Sequence, residues 1–109
     1  MDTDGQLFRV MLRLQIHQGM EREFEATWLE IGSAVASHPA IRGQRLLRSA
    51  EEPATYYIVS DWADEPQFRD FEHSSAHLEH RKRLNPYRAG ISMTTMQLVY
   101  HLPAQAAAR

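Results

Sequence analysis

The fold is decided first by residues 7–17, LFRVMLRLQIH, in which apolar and polar side chains alternate. A period of two places every second side chain on the same face of a strand. The apolar face carries five side chains: Phe8, Val10, Leu12, Leu14 and Ile16. The stretch therefore predicts a half-buried strand, which ends before Gly19.

The next stretch repeats apolar residues at three- and four-residue steps, which is the spacing of one helix face. The residues on that face are Met20, Phe24, Trp28 or Thr27, Ile31 and Val35. Several early glutamates are favourably placed for the helix dipole. We predict a helix that ends before Pro39, because the residue that precedes a proline avoids the helical region.

Two further strands are predicted over 42–49 and 55–62, joined by a hairpin loop at 50–53. The second of them, TYYIVSDW, is rich in aromatic and β-branched residues, which favour strands. Asp64 precedes a short helix with Pro66 in its first turn, and Ser74 with Ser75 interrupts that helix.

Ser74 and Ser75 can also cap a following helix, Ala76 to Leu84. A last strand is predicted over 91–102, with Met96, Leu98, Tyr100 and Leu102 on one face, before a flexible tail over 103–109. The resulting β-α-β-β-α-β order is the ferredoxin-like α+β fold, a four-stranded antiparallel sheet with helices on one face.

Chain length and surface pattern predict the organisation of the molecule. A chain of 109 residues is expected to form one domain, with a core over about 7–102. Met11 and the run 56–59 give the first and third strands apolar side chains on both faces. A partly apolar open sheet face favours a partner, so we predict a homodimer packed sheet to sheet, with a cavity between each sheet and its helices.

Composition excludes several classes of function. Twelve Lys and Arg residues against fourteen Asp and Glu residues give a formal net charge of −2, which argues against a nucleic-acid partner. The lack of cysteine excludes disulfides, thiolate metal sites and a cysteine nucleophile. No apolar run is long enough for a membrane span. The polar, acidic residues 1–6 do not resemble a signal peptide, so a cytoplasmic protein is expected.

The histidines His73, His77 and His80 form the pattern H-x-x-x-H-x-x-H, which can place imidazoles on one helix face. Such a face can bind zinc, copper or haem iron. However, residues 74–75 separate the first histidine from the other two, and the cations at 81–83 disfavour a metal. Three interpretations stay open: a solvated polar helix, His80 alone as a ligand or proton donor, and a three-histidine metal site.

Trp62 ends the predicted third strand just before a helix, where an indole would line the mouth of a pocket. The alternative is a tryptophan in the core or the dimer interface. Because side chains alternate between the two faces of a strand, Ser60 and Tyr56 lie on the same face as Trp62. Tyr56 and Tyr100 could donate hydrogen bonds to a carbonyl or phenol, although aromatic residues in strands more often serve packing.

Arg81, Arg83 and Arg88 could neutralise an enolate or phenolate oxygen, because a guanidinium suits a fixed anionic oxygen. The alternative is a solvated run of charge. Asp61 and Asp64 do not have the spacing of a glycosidase pair. The sequence also has no phosphate-binding glycine loop and no nucleophile elbow.

Several segments together resemble the antibiotic biosynthesis monooxygenase superfamily, over about residues 8–102. They are the strand 8–19 with its glutamate-rich helix, His38-Pro39-Ala40-Ile41-Arg42-Gly43 before the second strand, the run 56–62, and Phe68-Arg69-Asp70-Phe71. The resemblance implies a dimeric α+β barrel.

One branch of that superfamily oxidises anthrone-like polycyclic phenolic polyketides to quinones with O₂ and no cofactor. The resemblance implies that the substrate is the reductant and that Trp62 matches the branch's pocket tryptophan. Ile58 stands where that branch has an asparagine, and Phe68 where it has a tyrosine. Its later arginine corresponds loosely to Arg81 or Arg83. Ser60, Tyr56 or His80 could then supply the missing polar contacts.

A second branch binds and degrades haem, and His80 matches its helical ligand histidine, counted from Phe71. Leu12 stands in place of that branch's strand asparagine, and Phe71 in place of its tryptophan. The first branch gives our leading prediction, a cofactor-free monooxygenase with no metal. Haem binding through His80, a polyketide cyclase and a non-enzymatic accessory domain are the alternatives.

The predicted site has two parts. Four residues are predicted to be catalytic: Trp62, His80, Arg81 and Tyr56. Five are predicted to bind a small aromatic substrate: Ser60, Phe68, Phe71, Arg83 and Tyr100.

Overall fold

A computed structural model describes residues 7–105, so the polar residues 1–6 and the end of the predicted tail, 106–109, lie outside the described residues. The elements follow the predicted ferredoxin-like α+β order. They are β1 Phe8–Ile16, α1 Glu21–Val35, β2 Ile41–Arg48, β3 Thr55–Trp62, α2 Glu65–Glu72, α3 Ser75–Leu84, a 3-10 turn Asn85–Tyr87, and β4 Arg88–Gln97. No helix in this described part is long and apolar enough to cross a membrane.

The four strands form an antiparallel sheet in the order β2-β3-β1-β4. Leu12 of β1 lies opposite Ile58 of β3 and Met93 of β4, so these three side chains share the face that the helices cover. Val10 and Leu14 on that face are buried, whereas Leu12 between them is only half-buried. Leu12 packs against both core clusters, and the space beside it positions the site.

Local chemistry explains where the second and third helices begin. The Asp64 carboxylate accepts the Gln67 backbone N–H at 3.0 Å at the start of α2. The Ser74 hydroxyl accepts the His77 backbone N–H at 3.2 Å at the start of α3. Gly19 before α1 has a φ of +90°, a backbone conformation that glycine adopts readily.

The prediction of the last strand was wrong at both ends. β4 begins at Arg88, beyond an irregularity in its pairing with Ile16, and it ends at Gln97. The register accounts for the early end: Gln97 pairs with Phe8, the first residue of β1, and beyond that pair the Leu98 N–H donates to the Leu7 carbonyl at 3.0 Å. Tyr100 and Leu102, predicted to lie on this strand, are instead 85% and 89% exposed.

None of the helices within residues 7–105 covers the opposite face of the sheet. Met11 and Val59 lie on it as half-buried neighbours in register, as the alternation predicts. Beside them Arg9 donates two hydrogen bonds to Asp61, at 2.7 and 2.9 Å. This open face therefore combines apolar side chains with an internally neutralised charge pair.

Candidate active site

A cavity of about 320 Å³ lies between the helix-covered face of the sheet and the helices. This volume is within the range of small-molecule sites, about 300–1,000 Å³. Strands β1, β3 and β4 form its floor, together with Gln44 of β2, and all three α-helices contribute to its walls. Ile91 and Met93 line it and are nevertheless about half-exposed, so we call this β4 side the mouth.

One wall of the cavity is aromatic. The Trp62 ring lies 4.8 Å from the Phe71 ring and 5.4 Å from the Phe68 ring, between centroids. His38, on the loop after α1, packs edge-on against Trp62 and Phe71, with both centroids at 5.5 Å. The residues predicted to form an aromatic pocket are thus brought together, and their surface suits a flat apolar ligand.

Trp62 is buried and has its polar atom satisfied by a neighbour on the same strand. Its indole Nε1 donates a hydrogen bond of 3.0 Å to the Ser60 hydroxyl, and both residues line the cavity. Parity correctly placed them on one face. Because the indole occupies one acceptor site of Ser60, the hydroxyl keeps its own proton to donate.

Two imidazoles, His77 and His80, line the cavity from α3. Burial lowers the pKa of both below the usual histidine value; Arg81 adds to the effect at His77, and Arg83 adds to it at His80. Both rings are therefore neutral at neutral pH. The His80 Nδ1 atom is buried and has no hydrogen-bond partner among the described residues, so it offers a ligand a polar contact that the protein does not use.

The three-histidine alternative is not supported. His73 follows the end of α2, does not line the cavity, and its Nδ1 lies 2.7 Å from the Arg69 carbonyl oxygen. Within residues 7–105 no group of three or more histidine or carboxylate side chains is arranged to hold a metal ion. The break at Ser74, read from the sequence, is the physical reason for the separation.

The cationic residues divide into two groups. Arg81 and Arg88 line the cavity. Arg83 points elsewhere, because its guanidinium donates to Glu30 of α1 at 2.7 Å. The structure therefore does not bring Arg83 to the cavity with the other predicted substrate-binding residues.

Two tyrosines of the predicted site also lie away from the cavity. The Tyr56 hydroxyl donates to Glu25, and burial together with that hydrogen bond raises the pKa of Tyr56 to about 12. Tyr100 follows the end of β4 and is exposed. The carboxylates Asp61 and Asp64 are occupied by Arg9 and by the α2 cap, so they form no catalytic pair.

Sequence reasoning missed several lining residues, among them Trp28, Gln44, Glu72 and Asn85. Trp28 was visible as a member of the apolar face of α1, but that face also contains core residues such as Phe24. The Gln44 side-chain amide donates a hydrogen bond of 2.7 Å to the Gly32 carbonyl, which fixes its position. Helix-face periodicity could have indicated Trp28, and also Glu72, which lies four residues after Phe68. Strand alternation with Leu46 could have indicated Gln44, whereas no periodicity indicates Asn85.

The fold has close counterparts among solved structures. SnoaB, a cofactor-independent oxygenase from Streptomyces nogalater, superposes with a TM-score of 0.80 over 91% of this chain and 99% of its own, at 21% identity. A likeness at this level of identity establishes the fold alone.

Sequence comparison gives two relatives. Protein SchA of Streptomyces halstedii is 33% identical over 87 residues, or 80% of this chain and 23% of its own length. The 42.8 kDa protein in the whiE locus of Streptomyces coelicolor is 33% identical over 76 residues, or 70% of this chain and 19% of its own. The chain thus spans less than a quarter of either curated relative.

The family described as antibiotic biosynthesis monooxygenase matches residues 7–83, from the start of β1 almost to the end of α3. This range includes Trp62, the aromatic wall and both cavity histidines. The fold, the cavity and this match agree, and the chain belongs to the antibiotic biosynthesis monooxygenase family.

Proposed function

We propose that the chain is a cofactor-independent monooxygenase that oxidises a polycyclic phenolic, anthrone-like polyketide to a quinone with O₂. The observation that carries the proposal is an aromatic-walled cavity in which a neutral imidazole, His80, has a buried nitrogen without a protein partner. The structural neighbour SnoaB, itself named a cofactor-independent oxygenase, supports the same reading.

The chemistry balances without a further reductant. Loss of a proton from the phenol or enol gives an electron-rich anion, which reduces O₂ and forms a carbon–oxygen bond at the reacting methylene. The peroxy anion takes the proton back, and the resulting hydroperoxide loses water, so one oxygen atom of O₂ becomes the new carbonyl and the other leaves as water. The protein has to orient the rings, exclude solvent and stabilise the anion.

Each cavity residue then has a role that its position allows. Trp62, Phe68 and Phe71 hold the flat ring system, and Ser60 donates its hydroxyl proton to a substrate oxygen. The His80 imidazole accepts the substrate proton or hydrogen bond, and Arg81 stabilises the resulting anion. Tyr56, Arg83 and Tyr100 have no role in this proposal, because their side chains lie elsewhere.

The test is to incubate the purified, chelator-treated protein with 1,8-dihydroxyanthrone under air and follow the quinone absorbance. We expect a rate above the protein-free rate. Because acid–base assistance by His80 should contribute about 10²–10⁴-fold, His80→Gln should lower the rate by up to that factor, toward the protein-free rate. His73→Gln is the matched control, since His73 is a histidine outside the cavity. Absence of quinone formation over several anthrones would contradict the proposal.

Haem binding through His80 is the second candidate function. Among residues 7–105 the buried His80 Nδ1 has no hydrogen-bond partner, which supports this candidate, and His80 is the residue that would hold the iron. Titration with hemin tests this: a Soret band that His80→Ala abolishes and His73→Ala retains would support it. Thermal stabilisation by an anthrone without turnover would instead favour a polyketide cyclase or an accessory domain.

We also propose that the chain acts as a homodimer, in the cytoplasm, and that residues 7–102 form the core of one domain. The open sheet face supports the dimer, because Met11 and Val59 at its centre are only half-buried in one chain. A second copy would cover that face and leave each cavity on the helix side of its own sheet.

A further inference from the structure

An arginine at the mouth of the cavity keeps a positive charge that no described carboxylate neutralises. Arg88, the first residue of β4, lines the cavity and is half-buried. Its Nε donates a hydrogen bond of 2.9 Å to the Asn85 side-chain oxygen, which is a neutral acceptor. Among residues 7–105, no aspartate or glutamate forms an ion pair with Arg88.

The backbone that presents Arg88 is anchored through Tyr87, the last residue of the 3-10 turn that precedes it. The His17 backbone N–H donates to the Tyr87 carbonyl at 2.8 Å, and the Thr27 hydroxyl donates to the Tyr87 hydroxyl at 3.2 Å. With Nε held by Asn85, the two terminal nitrogens of the guanidinium remain for a ligand. A planar pair of donors in a fixed orientation matches the two oxygens of a carboxylate.

Other arginines of the chain, unlike Arg88, form ion pairs with carboxylates. Arg9 pairs with Asp61, and Arg69 pairs with Glu72, which is the only carboxylate lining the cavity within the described residues. Arg69 also lies 3.1 Å from Glu65, so it neutralises Glu72 only in part. Arg81 also lines the cavity without an ion pair to a described residue, so the lining has an excess of positive charge.

We infer that Arg88 binds a carboxylate substituent of the substrate at the mouth, while the rings lie against Trp62 and Phe71. The ligand class is thus a polycyclic aromatic acid, whose carboxylate is separate from the oxygen that reacts near His80. This inference rests on the proposed function for the identity of the rings, but it concerns recognition and not oxidation.

The experiment compares two probes that differ only in charge, anthraquinone-2-carboxylate and anthraquinone-2-carboxamide. Both tryptophans of the chain line the cavity, so quenching of their fluorescence reports binding of either probe. We expect the acid to bind about tenfold or more tightly than the amide, as a charge-assisted contact implies. Arg88→Gln should remove this preference, and Arg45→Gln, on the open face, should retain it.

A measurement on the unaltered protein guards against a variant that fails to fold. Added salt should weaken binding of the acid and leave binding of the amide nearly unchanged, because screening acts only on the charged probe. Equal affinities for the two probes, or a preference that folded Arg88→Gln keeps, would overturn the assignment. Failure of the proposed oxidation would look different: no quinone would form, while the preference for the acid persisted.

Discussion

The Trp62 indole is a buried part of the aromatic wall, and its removal tests how much that wall contributes to stability. It is 2% exposed and packs against Phe68, Phe71 and His38. Trp62→Ala should therefore lower the free energy of unfolding by about 3–5 kcal/mol, as loss of a buried aromatic side chain does. Urea denaturation measures this value, and a loss below about 1 kcal/mol would mean that the wall collapses onto the vacated space.

Ser60→Ala is the finer test of the same wall. It leaves the buried Trp62 N–H without its acceptor at 3.0 Å, which should cost about 1–3 kcal/mol of stability. Trp62→Phe in the Ser60→Ala background removes the orphaned donor, so the second substitution should cost less there than in the native chain. Additive costs in this double-mutant cycle would contradict a coupled pair.

His38 supports the aromatic wall through two separable contacts. Its ring packs on Trp62 and Phe71, and its Nδ1 accepts the Ala40 backbone N–H at 3.1 Å. His38→Asn removes the ring but can keep an acceptor for the Ala40 N–H. His38→Phe keeps a ring but removes that acceptor, beside the fully buried Ala40. We expect His38→Phe to lose more stability, about 1–3 kcal/mol, and His38→Asn to lose more affinity for anthraquinone-2-carboxamide.

The cavity histidines predict how stability changes with pH. Burial lowers the pKa of His77 and His80 in the folded chain, whereas both titrate near the usual value of about 6.5 when unfolded. Below about pH 6.5 the unfolded chain therefore binds more protons, and stability falls as the pH falls. Glu72 opposes the shift at His77, while Arg81 and Arg83 strengthen the shifts at His77 and His80 respectively.

Urea denaturation at about pH 7.5 and about pH 5.5 measures this dependence. The double variant His77→Gln, His80→Gln should show a smaller decrease between these two pH values than the native chain. His73→Gln provides the matched control: His73 has only the smallest of the charge effects on the pKa of His77, so most of the decrease should remain. A decrease of equal size in the double variant would assign the pH dependence to other groups.

At the scale of elements, the strands and caps followed from local chemistry. The alternation of residues 7–17 predicted β1 and its buried face, and the run 55–62 coincides with β3. The end of β4 did not follow from its own sequence. Its apolar residues continue to alternate past Gln97, whereas its pairing with β1 ends at Phe8. A strand at the sheet edge ends where its neighbour ends, and the sequence of the strand itself carries no record of that.

Ser74 connects an element boundary to the site. Its hydroxyl accepts the His77 N–H and donates to the Phe71 carbonyl at 2.6 Å, so one side chain ends α2 and begins α3. Ser74→Ala should lower the free energy of unfolding by about 0.5–2 kcal/mol, measured by thermal or urea denaturation. It should also weaken binding of the two anthraquinone probes, because His77 and His80 would be displaced. Ser74→Thr retains the hydroxyl and should behave like the native chain; equal loss in both variants would contradict the capping role.

At the scale of the whole molecule, the sequence predicted which residues share a face but not which of them meet a cavity. Trp62, Ser60, Phe68, Phe71, His80 and Arg81 all line it. Tyr56 shares their sheet face, yet its hydroxyl extends to Glu25 at the other core cluster. Arg83 differs from Arg81 by two positions, which turns it across the helix toward Glu30. Such outcomes depend on how helices sit on the sheet, which residue periodicity does not encode.

The open face of the sheet is the predicted site at which two copies of the chain assemble. Met11 and Val59 are neighbours on the two central strands. A charge at either position would be buried in any sheet-to-sheet dimer, and it would cost roughly several kcal/mol of association free energy. Sedimentation velocity should show a dimer for the native chain and a monomer for Val59→Glu. Leu29→Glu is the matched control: Leu29 is also apolar, but it is 63% exposed on α1, away from that face. A native monomer, or a Val59→Glu dimer as tight as the Leu29→Glu dimer, would show that the open face is not where two copies meet.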